Sequence, residues 1–143
     1  YEYLSMLTRN VCKSFEDIEE LFKRMVLNIL CLNFDDHAKN FAYLMDKNGK
    51  WSLSPAYDIT YSKGLMKSHT TTICGKDLDI VRDDILKIAK AQGIKITSAI
   101  RIIDNCIEIV KTFEQKAKEL DLDISTLEEC KREINNQIEL LRI

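Results

Sequence analysis

Three oxygen-bearing side chains stand out by type and spacing. Asp35 and Asn40 lie five residues apart in the polar run Asp35-Asp36-His37-Ala38-Lys39-Asn40, and Asp58 follows beyond the next turn signal. A D-x-x-x-x-N loop can aim a carboxylate and an amide oxygen into one cleft. A second carboxylate arriving nearby suits a hard cation, because magnesium takes one or two protein carboxylates and completes its shell with water and phosphate oxygens. Phosphoryl transfer uses such parts: an Asp to accept the hydroxyl proton, and an Asn and an Asp to hold metal between phosphates. Catalysis of that kind rests on positioning and charge neutralisation. The same residue types also cap helix ends and make turns, and spacing alone leaves both readings open.

These residues sit where apolar order fails. Upstream, Ser14 can cap a helix whose first turn is acidic. Ile18, Leu21, Phe22, Met25, Ile29 and Leu32 then recur at three- and four-residue steps, one stripe that stops at Asn33. Downstream, residues 41–53 read as a β-hairpin around Asn48-Gly49, the strongest short turn signal. A tight hairpin brings its ends together, so its far strand should return Asp58 to the neighbourhood of Asp35 and Asn40. Residues 59–68 read as a loop and Thr70 to Ile73 as a short strand.

The remainder reads as helix. Asp79 is expected to cap a segment carrying Val81, Ile85, Ile88 and Ala89 and ending at Gly93, a left-handed terminus. A second helix from about Thr97 carries Ile100, Ile103, Ile107, Val110 and Phe113. Ser125-Thr126-Leu127-Glu128 is a capping box opening a third helix with Leu127, Cys130, Ile134, Ile138 and Leu141. With no repeat and no linker, residues 1–143 are expected to form one mainly α domain with a small β-hairpin.

Composition narrows the class. The chain has 143 residues, 45% of them hydrophobic, with only four Gly and one Pro, too few for the frequent turns of a sandwich or barrel. Twenty-one basic against 23 acidic residues give a net charge of −2, without the positive excess of a nucleic-acid binder. The longest uncharged stretch is far short of the roughly 20 apolar residues that span a bilayer. Five cysteines without a C-x-x-C pair suit a reducing, cytoplasmic setting.

Asn33-x-Asp35-Asp36-His37-Ala38-Lys39-Asn40, followed by Trp51-x-Leu53-Ser54-Pro55-Ala56-Tyr57-Asp58-Ile59, resembles the C-terminal lobe of the HipA-like serine/threonine kinases, the toxins of bacterial toxin–antitoxin modules. The resemblance implies a protein-kinase-like C-terminal lobe that uses ATP and Mg²⁺. It implies that Asp35 is the catalytic base and that Asn40 and Asp58 are metal ligands. His37, Lys39, Asn40, Tyr57 and Asp58 are then the nucleotide-binding set, with Lys39 toward a terminal phosphate and His37 either touching nucleotide or fixing the loop. Implied partners are a protein with a Ser or Thr acceptor and a HipB-like antitoxin.

The literal D-F-G string is absent, since Ile59-Thr60 follows Asp58. So are a Gly-rich phosphate loop and a V-A-I-K-like strand, and only 34 residues precede Asp35. The chain also opens Tyr1-Glu2-Tyr3 without Met. It is therefore expected to be one lobe of a longer kinase whose N-terminal lobe is missing here, inactive alone.

Two other functions fit the residues: a non-catalytic helical interaction module, and a metal-dependent phosphohydrolase using Asp35, Asp36, His37 and Asp58. Asp36 is expected to be a cap or to face solvent, His69 to lie in a solvated basic loop, and Trp51 to anchor the hairpin on the core.

Overall fold

A computed structural model describes residues 1–64, 66–122 and 127–142. The element order is α1 (Glu2–Cys12), α2 (Phe15–Leu30), a 3-10 turn (Ala38–Asn40), β1 (Tyr43–Met45), β2 (Trp51–Leu53), α3 (Arg82–Ala91), α4 (Ile96–Lys111), α5 (Phe113–Glu119) and α6 (Glu128–Arg142). The fold is mainly helical with one two-stranded antiparallel sheet, as the sequence pattern indicates.

α2 is the central helix. Ser14 Oγ accepts from the Asp17 amide at 3.3 Å, and Glu16 and Asp17 complement the positive end of the helix. Ile18, Leu21, Phe22, Met25 and Ile29 are buried against α1, α4, α6 and β2. Each such side chain contributes about 1.5–3 kcal/mol relative to an exposed one. Arg24 and Asn28 are buried too, and both reach toward the polar loops. Arg24 donates to the Ser54 carbonyl at 2.5 Å.

α1 has no counterpart in the sequence reading, and its composition explains why. Its buried face is carried by Ser5, Thr8 and Cys12, while Tyr3, Met6 and Leu7 are 88%, 60% and 48% exposed. Small polar residues share the inner face with Leu4 and Cys12 while three apolar side chains face out, which blurs the apolar stripe.

The hairpin pairs Tyr43 with Leu53, Leu44 with Ser52 and Met45 with Trp51. Its turn is closed by Asp46 Oδ1, which accepts from the Asn48 and Lys50 amides at 2.8 and 2.9 Å, with Gly49 at φ 79°. Leu53, not Trp51, anchors it: Leu53 is buried and Trp51 is 41% exposed. The Leu53 amide also donates to Asp17 Oδ1 at 2.8 Å, tying the hairpin to the start of α2. Leu53 and Trp51 share one face of β2, but Leu53 lies at the end next to α2, whereas Trp51, paired with Met45, lies beside the exposed turn.

Four further expectations are corrected. Thr70 to Ile73 form no strand; Ile73 makes one isolated bridge to Lys76 around Cys74 and Gly75, both at positive φ. Asp79 does not cap α3. It has φ 51°, and the helix starts at Arg82, with Asp84 Oδ2 accepting from the Val81 amide at 3.3 Å. Phe113 does not continue α4, because the Thr112 hydroxyl turns back to the Ile109 carbonyl at 2.7 Å and α5 begins afresh. The stripe residue Leu32 lies past the end of α2 at φ 52°, yet is still buried. Gly93 takes its expected left-handed conformation after α3, at φ 76°. Ser125 and Thr126 of the capping box lie outside the described residues.

The five cysteines are free thiols, and burial pushes Cys31 and Cys106 up to about 11, so neither is a thiolate near neutrality. Among the described residues, no helix is long and apolar enough to cross a membrane.

Candidate functional site

The left-handed turn at Leu32 swings the chain out of α2, and Asn33 stays buried beneath it. Asn33 Nδ2 donates to Asn28 Oδ1 at 3.1 Å and to the Asp58 carbonyl at 2.9 Å. Asp58 itself sits at φ 55°, a conformation an Asp side chain tolerates better than most. One amide, just past the end of α2, therefore holds the backbone of Asp58 from behind.

In front, the 3-10 turn Ala38–Asn40 brings Asn40 back over the loop. Its Nδ2 donates to the Asp35 carbonyl at 3.0 Å and to Asp58 Oδ2 at 2.9 Å. Both N–H groups of the amide are thereby used, which assigns its orientation. Asn40 Oδ1 has no protein donor among the described residues and is left as an acceptor beside the Asp58 carboxylate. Asp35, Asn40 and Asp58, expected to converge from the spacing and the hairpin, are thus one hydrogen-bonded group.

The other expected residues flank this group. The Asp35 side chain is 57% exposed, and His37 Nε2 lies 3.8 Å from its Oδ1. His37 Nδ1 is buried without a partner among the described residues. The Tyr57 hydroxyl donates to the Lys39 carbonyl at 2.8 Å, joining the stretch before Asp58 to the turn before Asn40. The Lys39 side chain is exposed and forms no ion pair among the described residues.

Asp36 corrects the expectation of a solvent-facing residue. It is fully buried. Its Oδ2 accepts from the Tyr1 hydroxyl at 2.9 Å and lies 3.0 Å from His69 Nδ1. Its Oδ1 accepts from the Thr71 amide at 3.0 Å, and its carbonyl accepts from the Thr71 hydroxyl at 2.5 Å. His69 is likewise not in a solvated loop: it is 5% exposed and stands edge-on to Phe34, with ring centroids 5.0 Å apart. A buried carboxylate needs this many donors, since an unmet one is costly.

Asn28 Nδ2 donates to the Tyr1 hydroxyl at 2.9 Å, which closes a chain of hydrogen bonds. It runs from the Asp58 carbonyl through Asn33, Asn28, Tyr1 and Asp36 to His69. Burial, and then the neighbouring Asp36 charge, raise the Tyr1 hydroxyl well above its ordinary pKa, so it remains a donor. Asn28, Asn33, Asp36, Tyr1 and His69 all escaped the sequence reading as supports of the site. The available signal was weak: an Asn on the apolar stripe of α2, and a second Asp in the motif.

The donor set fits a hard divalent cation. It offers one amide oxygen, Asn40 Oδ1, beside one carboxylate, Asp58, and such a cation fills the rest of its shell with water or phosphate oxygens; Asp35 joins the group through its backbone carbonyl. Among the described residues, no three His, Cys, Asp or Glu converge as a ready-made cage. The enclosed space between Asn40, Asp58, Phe41 and Arg24 is only about 10 Å³. Among the described residues, Asn40 and Asp58 thus stand at a shallow, open surface.

No curated protein sequence matches this chain. The family model of the HipA-like C-terminal domain matches residues 1–116, a stretch that contains every residue of the group and of the buried chain behind it, and the protein belongs to that family.

Proposed function

We propose that this chain is the catalytic-loop lobe of an ATP- and Mg²⁺-dependent serine/threonine protein kinase of the HipA type, acting in the cytoplasm within a toxin–antitoxin module. The observation that supports the reading most is the Asn40 side chain, whose nitrogen joins the Asp35 carbonyl to the Asp58 carboxylate and leaves its oxygen free. A free amide oxygen beside a carboxylate suits an Asn that shares a metal with an Asp, as in phosphoryl transfer by protein kinases.

In this reading Asp35, exposed and next to the held loop, takes the proton of the acceptor hydroxyl. Asn40 Oδ1 and the Asp58 carboxylate would hold Mg²⁺, which when bound neutralises phosphate charge. Lys39, free of any ion pair among the described residues, reaches toward a terminal phosphate. His37, 3.8 Å from the Asp35 carboxylate, either touches nucleotide or fixes the loop, and Tyr57 braces the backbone of the turn that carries Lys39. The chemistry asks little of the protein beyond fixed geometry, and the buried hydrogen-bond chain behind the loops provides it. A protein with a Ser or Thr acceptor is the substrate, a HipB-like antitoxin the partner, and an N-terminal lobe the cover over the nucleotide.

The test is a phosphorylation assay with labelled ATP on the product of the full reading frame. Asp35→Asn should reduce transfer by about 10²–10⁴-fold, the usual weight of a general base. Unchanged activity in that variant would remove Asp35 from the role. Residues 1–143 alone are expected to give no measurable transfer.

A further inference from the structure

His69 has a second environment besides Asp36. It lines a cavity of about 320 Å³, separate from the groove at Asn40 and within the size range of small-molecule sites. Leu32, Phe34, Ile80 and Leu140 supply apolar wall. Two largely buried polar side chains, His69 and Gln137, interrupt it.

Each can offer an acceptor: His69 with its ring neutral, and Gln137 through its amide oxygen. Asp36 already accepts from the Tyr1 hydroxyl and the Thr71 amide, so its contact with His69 at 3.0 Å is that of a carboxylate receiving the Nδ1 proton. The lone pair of the neutral ring is then on Nε2, which has no partner among the described residues. Gln137 Nε2 is committed to the Ile80 carbonyl at 2.9 Å, which leaves its amide oxygen without a donor among the described residues. At the rim, Lys63 is paired with Glu129 and Tyr61 with Glu133. Lys67 and Asp79 complete it, so carboxylates outnumber ammonium groups by three to two.

We infer that this cavity is a binding site for a small, neutral or cationic, mostly apolar molecule bearing an N–H donor, which docks on His69 Nε2. An anion is disfavoured by the rim, and a purely apolar ligand would leave both acceptors unmet, a recurrent source of rejection in polar sites. The inference does not depend on kinase activity and is tested without it.

The probe is indole, titrated into the ¹⁵N-labelled protein, with benzofuran as the matched molecule lacking the N–H. The chain has two histidines, so long-range ¹⁵N spectra separate the His69 ring from that of His37. Indole should bind saturably and move the His69 Nε2 resonance while leaving His37 in place. Benzofuran should bind at least about fivefold more weakly, the weight of one net hydrogen bond. Leu78→Trp, which fills the mouth from a position 44% exposed and so spares the core, should abolish the shift. No shift at His69 up to the solubility limit of indole would overturn the site. So would an equal shift in Leu78→Trp. Equal affinity for benzofuran would overturn the assigned hydrogen bond.

Discussion

The Asn40 amide nitrogen donates to the Asp58 carboxylate across 2.9 Å, although the two residues leave opposite ends of the hairpin. The link exists because β1 and β2 pair in register and return the chain to where it began. Asn33 grips the Asp58 carbonyl from the other side. Asp58 is therefore held by two amides, one on its backbone and one on its side chain.

Asn33→Ala should release the first of these. The Asp58 and Asn28 acceptors would each lose a buried donor, and the positive φ of Asp58 would lose its support. We expect a loss of about 1–3 kcal/mol in unfolding free energy, measured by urea denaturation. A variant as stable as the parent would show that Asn33 does not support the loop.

Asp36→Ala should cost more. The substitution strips the acceptor from Tyr1, His69 and Thr71 together, and breaking buried charged networks costs about 3–5 kcal/mol. The urea midpoint should fall accordingly, with the slope unchanged. A loss below about 1 kcal/mol, as for an exposed residue, would contradict the buried placement.

The apolar stripes of α2, α3, α4 and α6 and the Asn48-Gly49 turn were legible because periodicity and turn chemistry report directly on burial. So was the convergence of Asp35, Asn40 and Asp58, since a hairpin must rejoin its ends. What escaped follows from tertiary context. α1 buries Ser5 and Thr8, and no pattern of apolar spacing announces small polar residues turned inward. Asp36 and His69 look solvated by type, and their mutual contact at 3.0 Å, with the Tyr1 and Thr71 donors to Asp36, makes burial tolerable. Asp79 resembled a cap, but Asp84 reaches back to the Val81 amide instead.

Gly64 stands at φ 54°, and a Cβ there would lie 3.2 Å from Phe34 Cβ. Gly64→Ala combines left-handed strain with crowding against Phe34, in the segment that leads to Asp35. It should destabilise by about 1 kcal/mol or more, read as a lower thermal midpoint. An unchanged midpoint would mean that the loop at Gly64 relaxes freely.

Asp84 gives a pH dependence with a defined sign. Burial alone would raise its carboxyl, but the Lys76 ammonium, the Val81 amide and Lys87 together hold it below its ordinary 3.8. The folded value lies beneath the unfolded one, so the stabilisation is complete above about pH 4 and fades as pH falls through the folded value. Asp84→Asn should therefore lower the urea midpoint clearly at pH 7 and much less at pH 3. An equal loss at both would show that the charge contributes nothing.

The most direct test of the central claim uses Mn²⁺ as a paramagnetic stand-in for Mg²⁺ on the ¹⁵N-labelled chain. If Asn40 Oδ1 and the Asp58 carboxylate share one hard cation, the Asn40 side-chain amide and the backbone amides around Asp35 and Asp58 should broaden first. Asp58→Ala should remove that broadening. Relaxation centred on another acidic patch, or unchanged in Asp58→Ala, would contradict the account.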